Sequence, residues 1–111
     1  MDTQMAVKMF AALAHENRLA VFRMLVKAGP QGKSAGEIGA ELGIVPSTLS
    51  FHLSALEGAG LVQSMRAGRY MCYGVRPQAI GSLLDFLTDD CCGGHPERCG
   101  LPMDRVTKAS A

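Results

Sequence analysis

The chain has 111 residues and a mass of 11.8 kDa, the size of one ordinary domain. Hydrophobic residues make up 48% of it and charged residues 19%, which excludes a disordered chain and provides for a core without disulfides. The net charge of +1 neither requires nor excludes a nucleic-acid partner. The longest apolar run, 9–14, is far shorter than the roughly 20 residues that span a bilayer. With no secretory-signal pattern at the N-terminus, we expect a cytoplasmic protein.

Apolar spacing predicts four helices, then a β-hairpin, then a last helix. The first helix covers 2–13, the second follows the polar residues 15–17 and ends at Gly29-Pro30, and the last follows Pro77. The apolar stripes expected on these three helices are Met5, Met9 and Leu13; Leu19, Phe22, Leu25 and Val26; and Ile80, Leu83, Leu84 and Leu87.

The third and fourth helices have the spacing of a DNA-binding helix-turn-helix. Ser34 with Glu37 predicts a capping box at the start of the third helix. Gly39 allows the two helices to cross closely, and Gly43 can adopt the positive φ of the turn between them. The fourth helix starts at Pro46 and ends near 56–57, and its inward face is expected to carry Leu49, packed with Ile38, Leu42 and Leu53.

The opposite face of the fourth helix carries Ser47, Ser50, Phe51 and Ser54, with Thr48 on its flank. Short hydroxyls can reach phosphates and base edges, and an exposed phenyl ring can pack on a thymine methyl, so we assign Ser47, Thr48, Ser50 and Phe51 to DNA binding. The alternative is that Ser47 and Thr48 only cap the first turn and that Phe51 belongs to the core. His52 lies on the Leu49 side and is expected to be a packed, hydrogen-bonded core histidine.

Residues 61–65 and 70–75 read as two strands joined by a turn at 66–69. Arg66 and Arg69 flank the tip of this hairpin. Beside a helix-turn-helix, the hairpin is expected to be a wing that places both arginines on a phosphate backbone or in the minor groove, although a solvated turn is the alternative. Segment 44–76 is locally basic and segment 77–111 locally acidic, which favours phosphate contacts from the former.

Four cysteines are the unusual feature of the composition. Cys72 lies within a predicted strand and is expected in the core. Cys91, Cys92 and Cys99 fall within nine residues near the C-terminus. Without a secretory signal, we expect reduced thiols rather than disulfides.

From Leu13 to about Val75 the chain resembles the ArsR-type winged-helix repressors, small dimeric metal-sensing transcription factors of bacteria. The resemblance rests on ALAHENRLAVFRMLVKAG, SAGEIGAELGIVPSTLSFHLSALEGAGLV and the wing SMRAGRYMCYGV. It implies a mainly α winged helix-turn-helix with a β-hairpin, dimerising through the first and last helices, with operator DNA as its partner and no membrane. The implied division is a DNA-binding and dimerisation domain at 1–90 and a partly flexible, cysteine-containing segment at 91–111. The family often has His where this chain has Phe51.

The cysteine positions indicate a subgroup. Arsenical repressors with thiols at the start of the third helix differ from this chain, which has Lys-Ser-Ala-Gly-Glu at 33–37. Zinc and cobalt sensors with paired histidines and carboxylates on the last helix differ too, because this last helix has no histidine. The pattern at Cys91, Cys92 and Cys99 resembles arsenite-responsive repressors with a C-terminal CC…C segment. That resemblance implies arsenite, As(III), as inducer, bound by three thiolates, with no organic cofactor.

Other uses of these thiols stay open. Three thiols with His95 suit a Cys₃His zinc site, and Cys99 with Cys91 or Cys92 suits a redox pair in a repressor that senses thiol oxidation. A small thiol enzyme such as an arsenate reductase is a further alternative. It is disfavoured because Cys91 follows two aspartates at a helix C-terminus, where negative charge opposes a thiolate nucleophile.

Overall fold

The computed structural model describes residues 1–98 and residue 100. Within them the chain forms five α-helices, three strands and two short 3₁₀ turns. None of the helices in this part of the chain has both the length and the hydropathy that a membrane span requires. The elements are α1 (Thr3–Leu13), α2 (Glu16–Ala28), β1 (Lys33–Ser34), α3 (Ala35–Leu42), α4 (Pro46–Gly58), β2 (Val62–Ala67), β3 (Tyr70–Val75), α5 (Pro77–Thr88) and 3₁₀ turns at Cys91–Gly93 and Pro96–Arg98. This order confirms the predicted mainly α winged helix-turn-helix.

Local sequence chemistry sets the ends of the central helices. The Ser34 hydroxyl accepts a hydrogen bond from the Glu37 amide at 3.2 Å, and the Glu37 carboxylate accepts one from the Ser34 amide at 2.9 Å. These two bonds form the predicted capping box, and they hold the pKa of Glu37 below its ordinary value. Gly43 ends α3 in the left-handed conformation, with φ 67°.

The α3–α4 turn is tight, as its glycines predict. A Cβ atom on Gly39 would lie 3.0 Å from the Ile44 carbonyl oxygen and 3.4 Å from a Leu49 methyl. The Gly39 carbonyl also accepts the Ile44 amide at 3.0 Å, which closes the turn. Glycine at 39 therefore allows α4 to cross close against α3.

One hydrophobic core holds α2, α3 and α4 against the base of the sheet. Its largest fully buried side chains are Val21, Leu25, Ile38, Leu53, Leu56, Leu61 and Val62. At about 25 cal/mol per Å² of apolar area, burying each of these contributes roughly 1.5–3 kcal/mol, so the core fixes the orientation of α4.

The predicted apolar stripes of α1, α2 and α5 are partly wrong. The buried residues are Ala6, Met9 and Ala12 on α1, Val21, Phe22 and Leu25 on α2, and Ala79 and Leu83 on α5. Exposed members of the predicted stripes are Met5, Leu19, Val26, Leu84 and Leu87. These helices carry more apolar residues than one chain's core can cover, so periodicity alone did not identify the inward face.

The sheet also differs from the predicted hairpin. Its strand order is β1-β3-β2, all antiparallel, and the two-residue β1 was not predicted. Arg66 lies within β2 and pairs with Met71, so the turn is shorter than expected and consists of Gly68 and Arg69. Cys72 is half-buried rather than part of the core, although it lies in the central strand and pairs with Ser34 of β1 and Met65 of β2.

Candidate nucleic-acid interface

The recognition helix α4 presents two opposite faces. Leu49, His52, Leu53 and Leu56 are buried. The other face is exposed and carries the four residues assigned to DNA binding together with Ser54: Ser47, Thr48, Ser50, Phe51 and Ser54. Phe51 is 65% exposed, which confirms that it lies outside the core.

The N-terminus of α4 has no side-chain cap. Val45 occupies the cap position and makes no side-chain hydrogen bond to the first turn. Pro46 follows at the first helical position, where its missing N–H costs nothing. The alternative in which Ser47 and Thr48 cap the helix is therefore wrong, and no side chain caps the first-turn amides, which are donors suited to an anion such as a phosphate.

A cluster of three polar and aromatic side chains connects α2 to α4. Arg18 Nε donates a hydrogen bond to His52 Nδ1 at 3.2 Å, and the Arg18 guanidinium carbon lies 5.7 Å from the centroid of the Phe51 ring. Because arginine only donates, Nδ1 of His52 is the unprotonated ring nitrogen. The predicted packed, hydrogen-bonded His52 is confirmed, with 4% exposure.

His15 completes the surroundings of His52. It is the N-cap of α2, and its ring centroid lies 4.6 Å from that of His52. The pKa of His52 lies below its ordinary value. Burial of the ring is the main cause, and the nearby His15 and Arg18 side chains lower the pKa further. Sequence reasoning did not find Arg18, and the only available signal was a basic residue in the first turn of α2.

The β2–β3 hairpin extends from the end of α4 as a wing. The predicted DNA-binding residues Arg66 and Arg69 are both exposed, one in β2 and one in the turn. Within residues 1–98 and 100 the ion pairs involve other residues, so no carboxylate holds either arginine there. Ser64 donates a 2.8 Å hydrogen bond to the Glu57 carboxylate, which links the base of the wing to α4.

The cysteine segment follows α5 through a tight reversal of the chain. Asp90 and Cys92 have left-handed φ values of 54° and 53°, and the His95 amide donates to the Cys91 carbonyl at 3.0 Å. Cys91 is half-buried and Cys92 is exposed. His95 Nδ1 lies 3.2 Å from the Glu97 carboxylate, with both side chains exposed.

The third predicted thiol, Cys99, lies outside the described residues. Within the described part of the chain, no group of three or more His, Cys, Asp or Glu side chains is placed to hold a metal ion. The three-thiol and Cys₃His arrangements both include Cys99, so both stay predictions.

Comparison with known proteins identifies the family. The family described as a helix-turn-helix domain matches residues 13–64. YceK of Bacillus subtilis, described as an uncharacterized HTH-type transcriptional regulator, is 34% identical over 83 residues, covering 75% of this chain and 82% of that protein. The HTH-type transcriptional regulator YgaV of Escherichia coli is 29% identical over 91 residues, covering 82% of this chain and 90% of that protein. Both relatives are described as HTH-type transcriptional regulators, and this chain is a transcriptional regulator of the same helix-turn-helix type.

Solved structures agree with the sequence relatives. An ArsR-like transcriptional regulator from a Rhodococcus species superposes with a TM-score of 0.70 at 26% identity, covering 86% of this chain and 85% of that one. HlyU of Vibrio cholerae gives a TM-score of 0.64 at 28% identity, covering 83% of this chain and 99% of that one. The chain belongs to the ArsR-like family of winged helix-turn-helix transcriptional regulators.

Proposed function

We propose that the chain is a homodimeric repressor that binds operator DNA and is released when arsenite binds Cys91, Cys92 and Cys99. The observation that carries the choice of inducer is the reversal after α5, which places two adjacent thiols next to the end of that helix. The DNA-binding part rests on the exposed polar face of α4 and on the wing.

The recognition helix supplies the sequence-reading contacts. Ser47, Thr48 and Ser50 reach phosphates and base edges of the major groove, and Phe51 packs on an apolar base edge such as a thymine methyl. Arg66 and Arg69 extend along the adjacent phosphates or into the minor groove. The exposure of all six side chains supports these roles.

Exposed apolar surface on α1 and α5 supports the homodimer. Its large members are Met5, Val7, Phe10, Leu84 and Leu87. A monomer would leave this surface in water, whereas a second copy covers it and removes apolar area from solvent. Pairing through α1 and α5 leaves both recognition helices free, to enter successive major grooves about 34 Å apart.

The donor set suits trivalent arsenic. As(III) is a soft centre that prefers thiolates, and arsenous acid exchanges its three hydroxyl groups for three cysteine sulfurs with release of water. The left-handed backbone at Cys92, followed by Gly93 and Gly94, turns the chain back on itself, as delivery of a third thiol from Cys99 requires. All three donors would then come from one subunit.

Release requires that the inducer favour a state that binds DNA poorly. For a hundredfold loss of operator affinity, arsenite must bind the state with low DNA affinity more favourably than the DNA-binding state by about 2.7 kcal/mol. Because the cysteine segment continues directly from α5, joining its thiols through one arsenic atom would alter the end of the helix that also carries the dimer surface. We propose that this changes the spacing or the freedom of the two recognition helices.

Fluorescence anisotropy tests the proposal on duplexes that the reduced protein selects from a random library. Arsenite, antimonite, zinc and peroxide are titrated in turn into the protein–DNA complex. We expect release by arsenite in the wild type, loss of release in C91S, C92S and C99S, and unchanged release in C72S, the matched cysteine control in β3.

Arsenite release that persists in C92S and C99S would overturn the three-thiol site. Release by zinc alone would assign the segment to a Cys₃His centre, and release by peroxide alone would assign it to a thiol-redox sensor. Failure of the wild type to enrich any duplex would overturn the repressor itself.

A further inference from the structure

We infer that Arg18 is a positioning residue for DNA reading: it holds the Phe51 ring of α4 in the orientation that contacts a base pair. The inference rests on the proposed reading role of α4 and adds a residue from α2, an element given no part in DNA binding so far. Two contacts of one guanidinium carry it, one to a buried side chain and one to an exposed side chain.

The first contact anchors Arg18. Its Nε donates to Nδ1 of His52 at 3.2 Å, and His52 is fixed by burial on the inward face of α4. Arg18 is itself half-buried, so its stem is packed and its guanidinium plane is restricted. This hydrogen bond joins residues 34 positions apart and fixes α4 against α2.

The second contact reaches the reading face. The Arg18 guanidinium carbon lies 5.7 Å from the Phe51 centroid, within the range of a cation–π interaction. The Phe51 and His52 rings meet edge to face, at 5.9 Å and 65°. Phe51 thus lies beside buried His52 and half-buried Arg18, although it is itself 65% exposed.

An exposed phenyl ring without such neighbours would populate several rotamers, and DNA binding would have to select one of them. Arg18 reduces the entropic cost of selecting one rotamer, because the ring is already oriented before DNA binds. Adjacent residues lie about 100° apart around a helix, so Phe51 and His52 present different sides of α4, and one planar group touches both.

Lysine cannot reproduce this arrangement. Arginine has a planar fork of five N–H donors, so it can donate through Nε while its plane borders an aromatic ring. An ammonium group is a point charge at the end of a flexible stem and can satisfy one of the two contacts at a time. Arg18→Lys therefore keeps the charge and removes the two-point contact.

The test compares R18K, F51A, F51L and the double variants R18K/F51A and R18K/F51L with the wild type on library-selected duplexes and on non-specific DNA. R23K is the matched control, because Arg23 is an exposed arginine on the same helix with neither contact. We expect R18K to weaken binding to the selected site about tenfold, the effect of one good base contact, and to leave non-specific binding unchanged.

The decisive result is the base pair of the selected site at which R18K changes the base preference. R18K should relax base preference at the same base pair as F51A, and R18K should add nothing in the F51A or F51L background, since the two residues act as a unit. Because residue 51 is exposed, F51L keeps the fold and removes only the aromatic face.

Three outcomes would overturn the inference. R18K could keep the wild-type base preference, it could weaken binding evenly at all positions together with a lower melting temperature, or its effect could add fully to that of F51A. In each case the wild type still selects a DNA site and the proposed repressor stands. If the wild type selects none, the repressor proposal fails and this inference fails with it.

Discussion

Gly32 and the Tyr73 carbonyl approach so closely that a Cβ atom on Gly32 would lie 2.3 Å from that oxygen. Gly32 also has a φ of +68°, which L residues with a side chain rarely adopt. The approach occurs where the chain leaves α2 and forms β1 against β3, with Lys33 opposite Tyr73. The position of the helix-turn-helix relative to the wing therefore depends on the absence of a side chain at one residue.

We expect Gly32→Ala to lower the free energy of unfolding by about 2–4 kcal/mol, from left-handed strain together with displacement of β3. Gly58→Ala is the matched control, because Gly58 lies at the end of α4, has no positive φ and has open space where the Cβ of an alanine would lie. The control should be unchanged or stabilised by up to about 1 kcal/mol. Chemical denaturation followed by circular dichroism measures both, and equal midpoints for the two variants would contradict the argument.

The lowered pKa of His52 predicts a pH dependence of stability. Because His52 is buried and stays neutral in the folded state, the unfolded chain binds more protons once the pH falls below the ordinary value of 6.5. This contribution to stability is complete above about pH 7 and is lost as the pH falls from 6.5 towards the lowered pKa of the folded state.

His52→Asn checks this prediction. The asparagine oxygen can still accept from Arg18, but the side chain does not titrate. We expect the variant to be less stable than the wild type at pH 7.5 and to show a flatter loss of stability between pH 7 and 5, measured by denaturant unfolding at each pH. His95→Asn replaces an exposed histidine and should keep the wild-type slope. A slope that H52N leaves unchanged would assign the pH dependence to other groups.

The parts of the fold that were predicted depend on local chemistry. The capping box at Ser34, the left-handed turn at Gly43 and the start of α4 at Pro46 are fixed by residues within a few positions of each other. His52 was placed in the core because its helical spacing from Leu49 and Leu53 is also local.

The parts that were missed depend on contacts between distant segments. Strand β1 exists because Gly32 allows the chain to approach β3, and Arg18 meets His52 across 34 residues. The inward faces of α1 and α2 were misjudged because apolar residues lie on both sides of these helices. Neither periodicity nor spacing reports which of two apolar faces the rest of the chain covers.

The wing arginines predict a salt dependence of DNA binding. Each phosphate contact that is lost should reduce the slope of log K against log salt by about 0.9. We expect Arg66→Gln and Arg69→Gln each to flatten the slope by about that amount per subunit and to weaken binding to all sequences evenly. Arg23→Gln removes the same charge from α2 and should leave the slope close to that of the wild type. Slopes that are identical for wing and control variants would exclude phosphate contacts by the wing.

The exposed apolar faces of α1 and α5 predict that a single charge disrupts assembly. Leu87 is 57% exposed and Phe10 43%, so neither Leu87→Glu nor Phe10→Glu should unfold the monomer. In a dimer paired through these helices, one unpaired carboxylate per subunit would be buried at a cost of about 3 kcal/mol each, and the two together would raise the dimer Kd by about four orders of magnitude. Light scattering coupled to size-exclusion chromatography should then give the 11.8 kDa chain mass instead of twice that value. Val45→Glu is the matched control, because Val45 is 60% exposed and belongs to neither α1 nor α5 but to the N-cap of α4. If V45E and L87E gave the same mass at every concentration, α5 would not be the dimer surface, and the two recognition helices would have to be brought together by another face.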